Sequence, residues 1–399
     1  MGLSIEKIEV LLLVAAVVAM LARRLRVPYS IGLVIAGVGL ALLPLTPLVP
    51  LTKQLIFTIF LPPLIFEAAI NLRWSELRRE MPVVLVLATV GVLLSAAVTA
   101  VGMHYLAGWA WISALVFGVL IAATDPVAVL ATFKETGVQG RVRLLVEAES
   151  LFNDCTAAVA FTIVLTLAAG QGIGVIGVTK SLVIIVVGSI ACGALVALLC
   201  LLLAGATDDH LIEITFTMVA AYGSFLLAEH FHTSGVLAAL TAGLIIGNVG
   251  HLSLAAESRK TVEEFWEYVA FFANSLIFLL IGMRVAIQNF RAFIPAAIAA
   301  IFLVILARAF AIYPSCLLFL RSKLRVTARH QHILFWGGLR GALALALALG
   351  LPPQMPGRDD IIAVAFAVVA FSIFVQGLTI TPLMRRLGEL ASFQKPAVK

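Results

Sequence analysis

The chain has 399 residues, 62% of them hydrophobic and 12% charged, with a formal net charge of +6. A soluble domain carries about 25% charged residues, and the recurring apolar runs of about 18 residues or more read as membrane helices, which excludes a soluble protein with buried core helices. The basic balance does not point to nucleic acid either, because the positive residues sit in short loops, where they orient a membrane protein.

The pattern predicts an all-α polytopic protein of thirteen spans, at about 5–22, 28–43, 53–70, 82–105, 110–132, 144–168, 175–204, 211–230, 234–248, 266–283, 293–320, 331–349 and 360–384. The first span is not a secretory leader. It has no basic segment before it, and Arg23, Arg24 and Arg26 follow it, as after a first span whose N-terminus is outside. The third carries Glu67 after Leu61-Pro62-Pro63. The fifth contains Thr124-Asp125-Pro126, where Pro removes a backbone donor and disfavours helix before it.

The sixth span opens on Glu147-Ala148-Glu149-Ser150-Leu151-Phe152-Asn153-Asp154. Asp154 lies about 15 Å along the helix from Leu144, near the midplane of a core about 30 Å thick. Ser150 and Asp154 share one face, and Glu149 and Asn153 form the adjacent row. The ninth span is short and reaches at least Asn248. His230 and His232 have His-x-His spacing at a span end, with no acidic or thiol cluster nearby, and read as solvated loop residues. Arg308 lies inside the eleventh span. The twelfth is interrupted at Gly337-Gly338-Leu339-Arg340-Gly341, and its Ala344-Leu345-Ala346-Leu347-Ala348 run is lipid-facing or helix-packing. About fifteen residues follow the last span, too few for a cytosolic regulatory module. Cys155, Cys192, Cys200 and Cys316 all fall in apolar segments without metal-ligand spacing and read as small hydrophobes.

With the N-terminus outside, nineteen of the 27 Lys and Arg residues fall in inside segments and six in outside ones; Arg308 and Arg340 remain within spans. This bias predicts an outside N-terminus and an inside C-terminus, and the lack of a targeting peptide with a compact membrane core leads to the expectation of a bacterial or archaeal plasma membrane. Spans 1–6 and 8–13 then have opposite orientations, as in the inverted repeats of secondary transporters, and the two interruptions fall in the fifth helix of each half.

A charged group at the bilayer centre costs roughly 2.5–3.5 kcal/mol on insertion scales and usually faces a cavity where it acts. Glu67, Asp125, Glu149, Asp154, Arg308 and Arg340 are such groups. Interrupted helices expose carbonyls, so Asp125 and Thr124 offer oxygen ligands suited to sodium or lithium rather than to soft metals. Glu149 and Arg308 are expected to form a structural pair, and Arg340 to offset the dipole ends of the crossed half-helices. Glu67 is either a site-supporting residue or an interface residue beside Asn71 and Arg73.

Four stretches carry a family resemblance: Leu61-Pro62-Pro63-Leu64-Ile65-Phe66-Glu67, Thr124-Asp125-Pro126-Val127-Ala128-Val129, Glu149-Ser150-Leu151-Phe152-Asn153-Asp154 and Gly337-Gly338-Leu339-Arg340-Gly341-Ala342. Val375-Gln376-Gly377-Leu378-Thr379 adds a fifth. The chain resembles the NhaP-like prokaryotic members of the first monovalent cation:proton antiporter family, relatives of the animal sodium/proton exchangers. The Asn-Asp pair is the most specific element; electrogenic cousins carry Asp-Asp.

The resemblance implies a six-helix core, at about 82–168 and 293–384, beside dimerisation helices at about 5–70 and 211–283, with a linker helix at about 175–204. It implies that Asp154 binds the ion and the proton, with Asp125, Ser150 and the Thr124 carbonyl completing the site. Asn153 would bond to Glu67, Glu149 would pair with Arg308, and two copies would form a homodimer. Ala148 and Cys155 stand where the family favours glycine or another small residue, and the tail-based regulation of the animal exchangers is not expected to carry over.

The expected function is electroneutral exchange of Na+, and Li+ with it, for H+, through competition at Asp154. Neither ion is a resident cofactor, and no GxxxxGK[ST] motif suggests ATP use. Potassium/proton exchange is the alternative within transport. A cation channel would need a continuous pore, and a membrane hydrolase is disfavoured by the lack of HExxH and GxSxG motifs.

Overall fold

The computed structural model describes residues 5–25, 28–42, 51–168, 175–207, 209–250, 256–288 and 293–389. Among the described residues the chain forms fifteen helices. They are α1 (Ile5–Leu25), α2 (Tyr29–Leu42), α3 (Leu55–Ile70), α4 (Trp74–Ala107), α5 (Trp111–Leu120), α6 (Val127–Thr136), α7 (Arg141–Ala168), α8 (Val175–Ala204), α9 (His210–His230), α10 (Gly235–Val249), α11 (Ala256–Ile287), α12 (Ile294–Leu317), α13 (Ala328–Gly337), α14 (Ala342–Leu349) and α15 (Arg358–Leu387). Seven are long and apolar enough to cross a membrane: α4, α7, α8, α9, α11, α12 and α15. Shorter apolar helices, together with the half-helix pairs α5/α6 and α13/α14, complete the thirteen spans.

The helices sort into two groups. In the first, α2 lies along α11, α3 along α10 and α11, and α8 along α9 and α10, with α1 on α2. In the second, α4 packs on α5 and α12, α7 on α4 and α5, and α15 on α12, α13 and α14. Each group draws helices from both halves of the sequence. Lighter contacts of α7 with α3, α8 and α10 join the groups. The edge helix α8 exposes Leu195, Leu198, Leu202 and Leu203, an outward apolar face suited to lipid.

Several boundaries differ from the hydropathy reading. Helix α4 begins at Trp74 and α11 at Ala256, eight and ten residues before the predicted starts of spans 4 and 10. Their first turns are rich in charge, from Glu76 to Glu80 and from Arg259 to Glu267, and continue the helix beyond its apolar part. Wide π-helical turns interrupt α3 at Leu55–Phe60, α4 at Leu87–Gly91 and α15 at Ser372–Gln376. The Ala342–Ala348 run is buried throughout, so it packs against helices and does not face lipid.

Candidate functional site

The two interrupted spans cross where their helices stop. Helix α5 ends at Leu120 and α6 starts at Val127; α13 ends at Gly337 and α14 starts at Ala342. Between them the chains run extended and antiparallel, with Asp125 N–H donating to Leu339 O at 2.7 Å. Pro126 cannot donate to a preceding turn, and the glycines around Leu339 permit a close approach of backbones. A Cβ at Gly341 would fall on the Asp125 carboxylate.

The crossing sorts charges by helix polarity. Asp125 Oδ1 accepts the Val127 N–H at 2.9 Å, and its carboxylate also receives the Ala342 N–H, so it sits at the N-termini of both α6 and α14. Arg340 Nη1 donates to the carbonyls of Ala122 (2.6 Å) and Ala123 (3.1 Å), just beyond the C-terminus of α5. Negative charge thus meets the positive helix ends and positive charge a negative one.

Helix α7 passes beside the crossing and presents its polar stripe to it. Ser150 Oγ donates to Thr124 O at 2.6 Å and lies 3.0 Å from Thr124 Oγ1. Asn153 Nδ2 donates to Thr124 Oγ1 at 3.2 Å and to Glu149 Oε1 at 3.3 Å. Both amide hydrogens are thereby used. The Thr124 N–H donates to Asp154. The Oδ1 atoms of Asn153 and Asp154 are buried and accept no hydrogen bond among the described residues. Thr124, Glu149, Ser150 and Asn153 are buried, whereas Asp125 and Asp154 keep partial access.

Glu149 is fully engaged. Arg308 from α12 binds it through two nitrogens, at 2.7 and 3.0 Å, and also donates to Leu334 O at 2.8 Å. The charged groups acting on Asp154 are Asp125, Glu149 and Arg340. The crossing therefore gathers the carboxylates of Asp125, Glu149 and Asp154 against the guanidiniums of Arg308 and Arg340, three acidic groups to two basic ones.

The π-helical turn of α15 holds the second break in place, which sequence reasoning missed. Ser372 Oγ accepts the Arg340 N–H at 2.8 Å and donates to Gln376 Oε1 at 2.6 Å. Trp336 Nε1 donates to Thr379 Oγ1 at 2.8 Å. Gln376 and Thr379 belong to the fifth stretch of the resemblance, which was the available signal. Glu67 Oε1 accepts from Asn71 Nδ2 at 3.0 Å.

A cavity of about 490 Å³ lies between the helix groups, lined by Lys53, Phe57, Ala158, Thr162, Glu229 and Leu347 among others. Its α7 wall begins at Ala158, about one helical turn past Asp154. His232 also lines it, exposed and with a left-handed φ of 54°. Among the described residues no cluster of His, Cys, Asp and Glu could hold a metal ion in the manner of a resident cofactor.

Comparison with known proteins agrees with this architecture. The family model described as sodium/hydrogen exchanger, transmembrane, matches residues 11–386. The chain is similar to the Na+/H+ antiporter ApNhaP of Aphanothece halophytica, 39% identical over 91% of this chain and 70% of that one. It is also similar to the Na+/H+ antiporter NhaH of Halobacillus dabanensis, 34% identical over 96% and 98% of the two chains. Its fold matches that of the sodium proton antiporter MjNhaP1 from Methanocaldococcus jannaschii, with a TM-score of 0.76 at 21% identity, over 96% of this chain and 98% of that one.

Proposed function

The chain belongs to the sodium/hydrogen exchanger family, and from that premise we propose that it is a secondary carrier exchanging Na+, and Li+ by the same ligand chemistry, for H+ at Asp154. The observation that carries the mechanism is the gathering of three carboxylates against two guanidiniums at the crossing, one formal negative charge more than is balanced when all are ionised. With Glu149 bound to Arg308, and Arg340 held on the Ala122 and Ala123 carbonyls near Asp154, three carboxylates stand against two guanidiniums and one carboxylate lacks a counter-charge. A carboxylate held away from water is costly while charged. One proton or one monovalent cation neutralises it, and both together would reverse the excess. The two ions therefore compete, and one replaces the other at each turn of the cycle without net charge movement.

Asp154 is the competing carboxylate, because it retains an unbonded buried oxygen and partial access. Asp125, Ser150 and Thr124 complete the oxygen set, and Asn153 orients it from Thr124 and Glu149. Glu149, Arg308 and Arg340 keep the crossing neutral and assembled. The group containing α4–α7 and α12–α15 carries the site, and the group containing α1–α3 and α8–α11 serves as scaffold and pairs two copies, with α8 as the helix that links the two halves of the chain. The bias of Lys and Arg supports an outside N-terminus and a cytoplasmic C-terminus in the plasma membrane.

The test is purified protein in liposomes holding a pH-sensitive dye, with an imposed Na+, Li+ or K+ gradient. Sodium-driven proton movement that is lost in Asp154→Asn and unchanged by membrane potential is the expected result. A response to K+ alone would keep the exchange and change the substrate. Flux that persists in the variant, or that follows voltage without moving protons, would overturn the assignment in favour of a channel.

A further inference from the structure

The chain passes between the two helix groups three times, and the first passage, at 71–73, is described throughout. It is three residues long, joining the end of α3 to the start of α4. Nothing in its own sequence caps α4: the residue before the helix, Arg73, makes no side-chain capping bond. The cap comes instead from the other group. Asn248, near the end of α10, accepts the Trp74 N–H on its Oδ1 at 2.7 Å and donates through Nδ2 to Leu72 O at 2.8 Å and to Leu244 O at 2.9 Å. One amide thus ties its own helix, the connecting residues and the first N–H of the next helix.

The anchor for this amide is rigid. Helices α3 and α10 meet backbone to backbone at Gly243 and Gly247. A Cβ at Gly243 would come within 2.9 Å of Phe66 O, and one at Gly247 within 2.8 Å of the Ile70 carbonyl carbon. Small residues four apart permit this approach in membrane helices. The start of the connection is held as well, since Asn71 Nδ2 donates to Glu67 O at 2.9 Å and to its Oε1 at 3.0 Å. Leu72 and Leu77 are buried on either side of Asn248's contacts. Glu67, which the sequence marks as a supporting residue, therefore acts on the connection through Asn71.

We propose that Asn248 is a positioning residue for transport: it pins the N-terminus of α4 to the scaffold group and makes the 71–73 connection the pivot about which the site-bearing group turns. The proposal rests on the carrier reading given above. Alternating access requires one helix group to move as a body against the other, and hinges are a few residues at element ends that absorb the change. A pivot with both sides tied to one side chain restricts that motion to rotation. Without the tie the group also slides, and fewer of its excursions bring Asp154 from one side to the other. The bonds of Asn248 to Trp74, Leu72 and Leu244 hold the connection, away from Asp154 and its oxygen set, so this tie governs rate and not affinity.

Asn248→Ala and Asn248→Asp, reconstituted in liposomes, separate these effects. Asn248→Ala is expected to lower the maximal exchange rate on the order of tenfold, with KM for Na+ within about twofold of the parent. Asn248→Asp keeps the acceptor for Trp74 N–H and should recover part of the rate. In parallel, hydrogen exchange of purified protein should accelerate in Asn248→Ala over residues 71–77 and stay unchanged in α7. A maximal rate equal to that of the parent, or a changed KM with the rate preserved, overturns the proposal. Parental protection at 71–77 in Asn248→Ala overturns it whatever the transport result. If the parent protein itself moves no protons against Na+, the carrier reading fails, and the hydrogen-exchange comparison still decides whether Asn248 holds the pivot.

Discussion

Glu149 and Asp154 lie little more than one turn apart on α7, yet their surroundings give them different work. Glu149 is 2% exposed and takes both terminal nitrogens of Arg308, so it has no capacity for a transported ion. Glu149→Gln leaves Arg308 buried without a counter-charge, a change that costs about 3–5 kcal/mol in measured cases. We expect a lower thermal unfolding midpoint and poor yield from this variant. Replacing both members of the pair by apolar residues should restore most of the loss, since paired removal is often neutral. Asp154→Asn has the opposite sign, because it removes the excess charge of the crossing. Its unfolding midpoint at pH 8 should equal or exceed that of the parent. Added Na+ should raise the parent's midpoint by mass action and leave the variant's unmoved. A Na+-dependent shift that survives in Asp154→Asn would place the ion elsewhere.

The interrupted spans turn two short extended segments into a charge-sorting device, and Gly341 sets how closely they cross. Gly341→Ala places a methyl group on the Asp125 carboxylate, at the shared N-termini of α6 and α14. Backbone and carboxylate must both shift, so exchange should fall by at least about a hundredfold, as when a reacting group is misplaced by about 1 Å. Purified Gly341→Ala at parental exchange rates would show that the crossing tolerates that displacement. The breaks themselves were legible, because Pro126 and the paired glycines are local signals and they recur in the fifth helix of each half. The bond that joins them was not, since Asp125 and Leu339 are far apart in sequence and nothing local fixes their register. The π-helical turn at Ser372–Gln376 escaped for a related reason: its composition is that of any apolar helix, and its partner, the Arg340 N–H, belongs to another span. Charged first turns of α4 and α11 read as loops because hydropathy measures the membrane and not the helix.

At the scale of the molecule, two helix groups, each drawn from both halves of the chain, leave one site at the crossing and a cavity between the groups that starts one turn beyond Asp154. The repeat could be inferred from the matching breaks, whereas the assignment of the amide of Asn153 to Thr124 and Glu149 needed the packed structure. The proposed sharing of one carboxylate has a consequence that can be measured on the whole carrier. If one proton and one Na+ exclude each other at Asp154, the apparent KM for Na+ rises as pH falls through the range where the carboxylate binds protons. Mass action limits the slope to about tenfold per pH unit and leaves the maximal exchange rate to be recovered at saturating Na+. At higher pH the KM levels off and the rate becomes limited by the supply of protons. If one proton replaces one Na+, the exchange moves no net charge, and initial rates measured with and without a large imposed potential should coincide at every pH. Initial rates of dye-reported proton flux across a Na+ series, repeated at successive pH values, give both tests. A KM that stays constant through the acid range while the maximal rate declines would mean that proton and Na+ occupy separate groups, and the excess charge at the crossing would then need a counter-ion that is not transported.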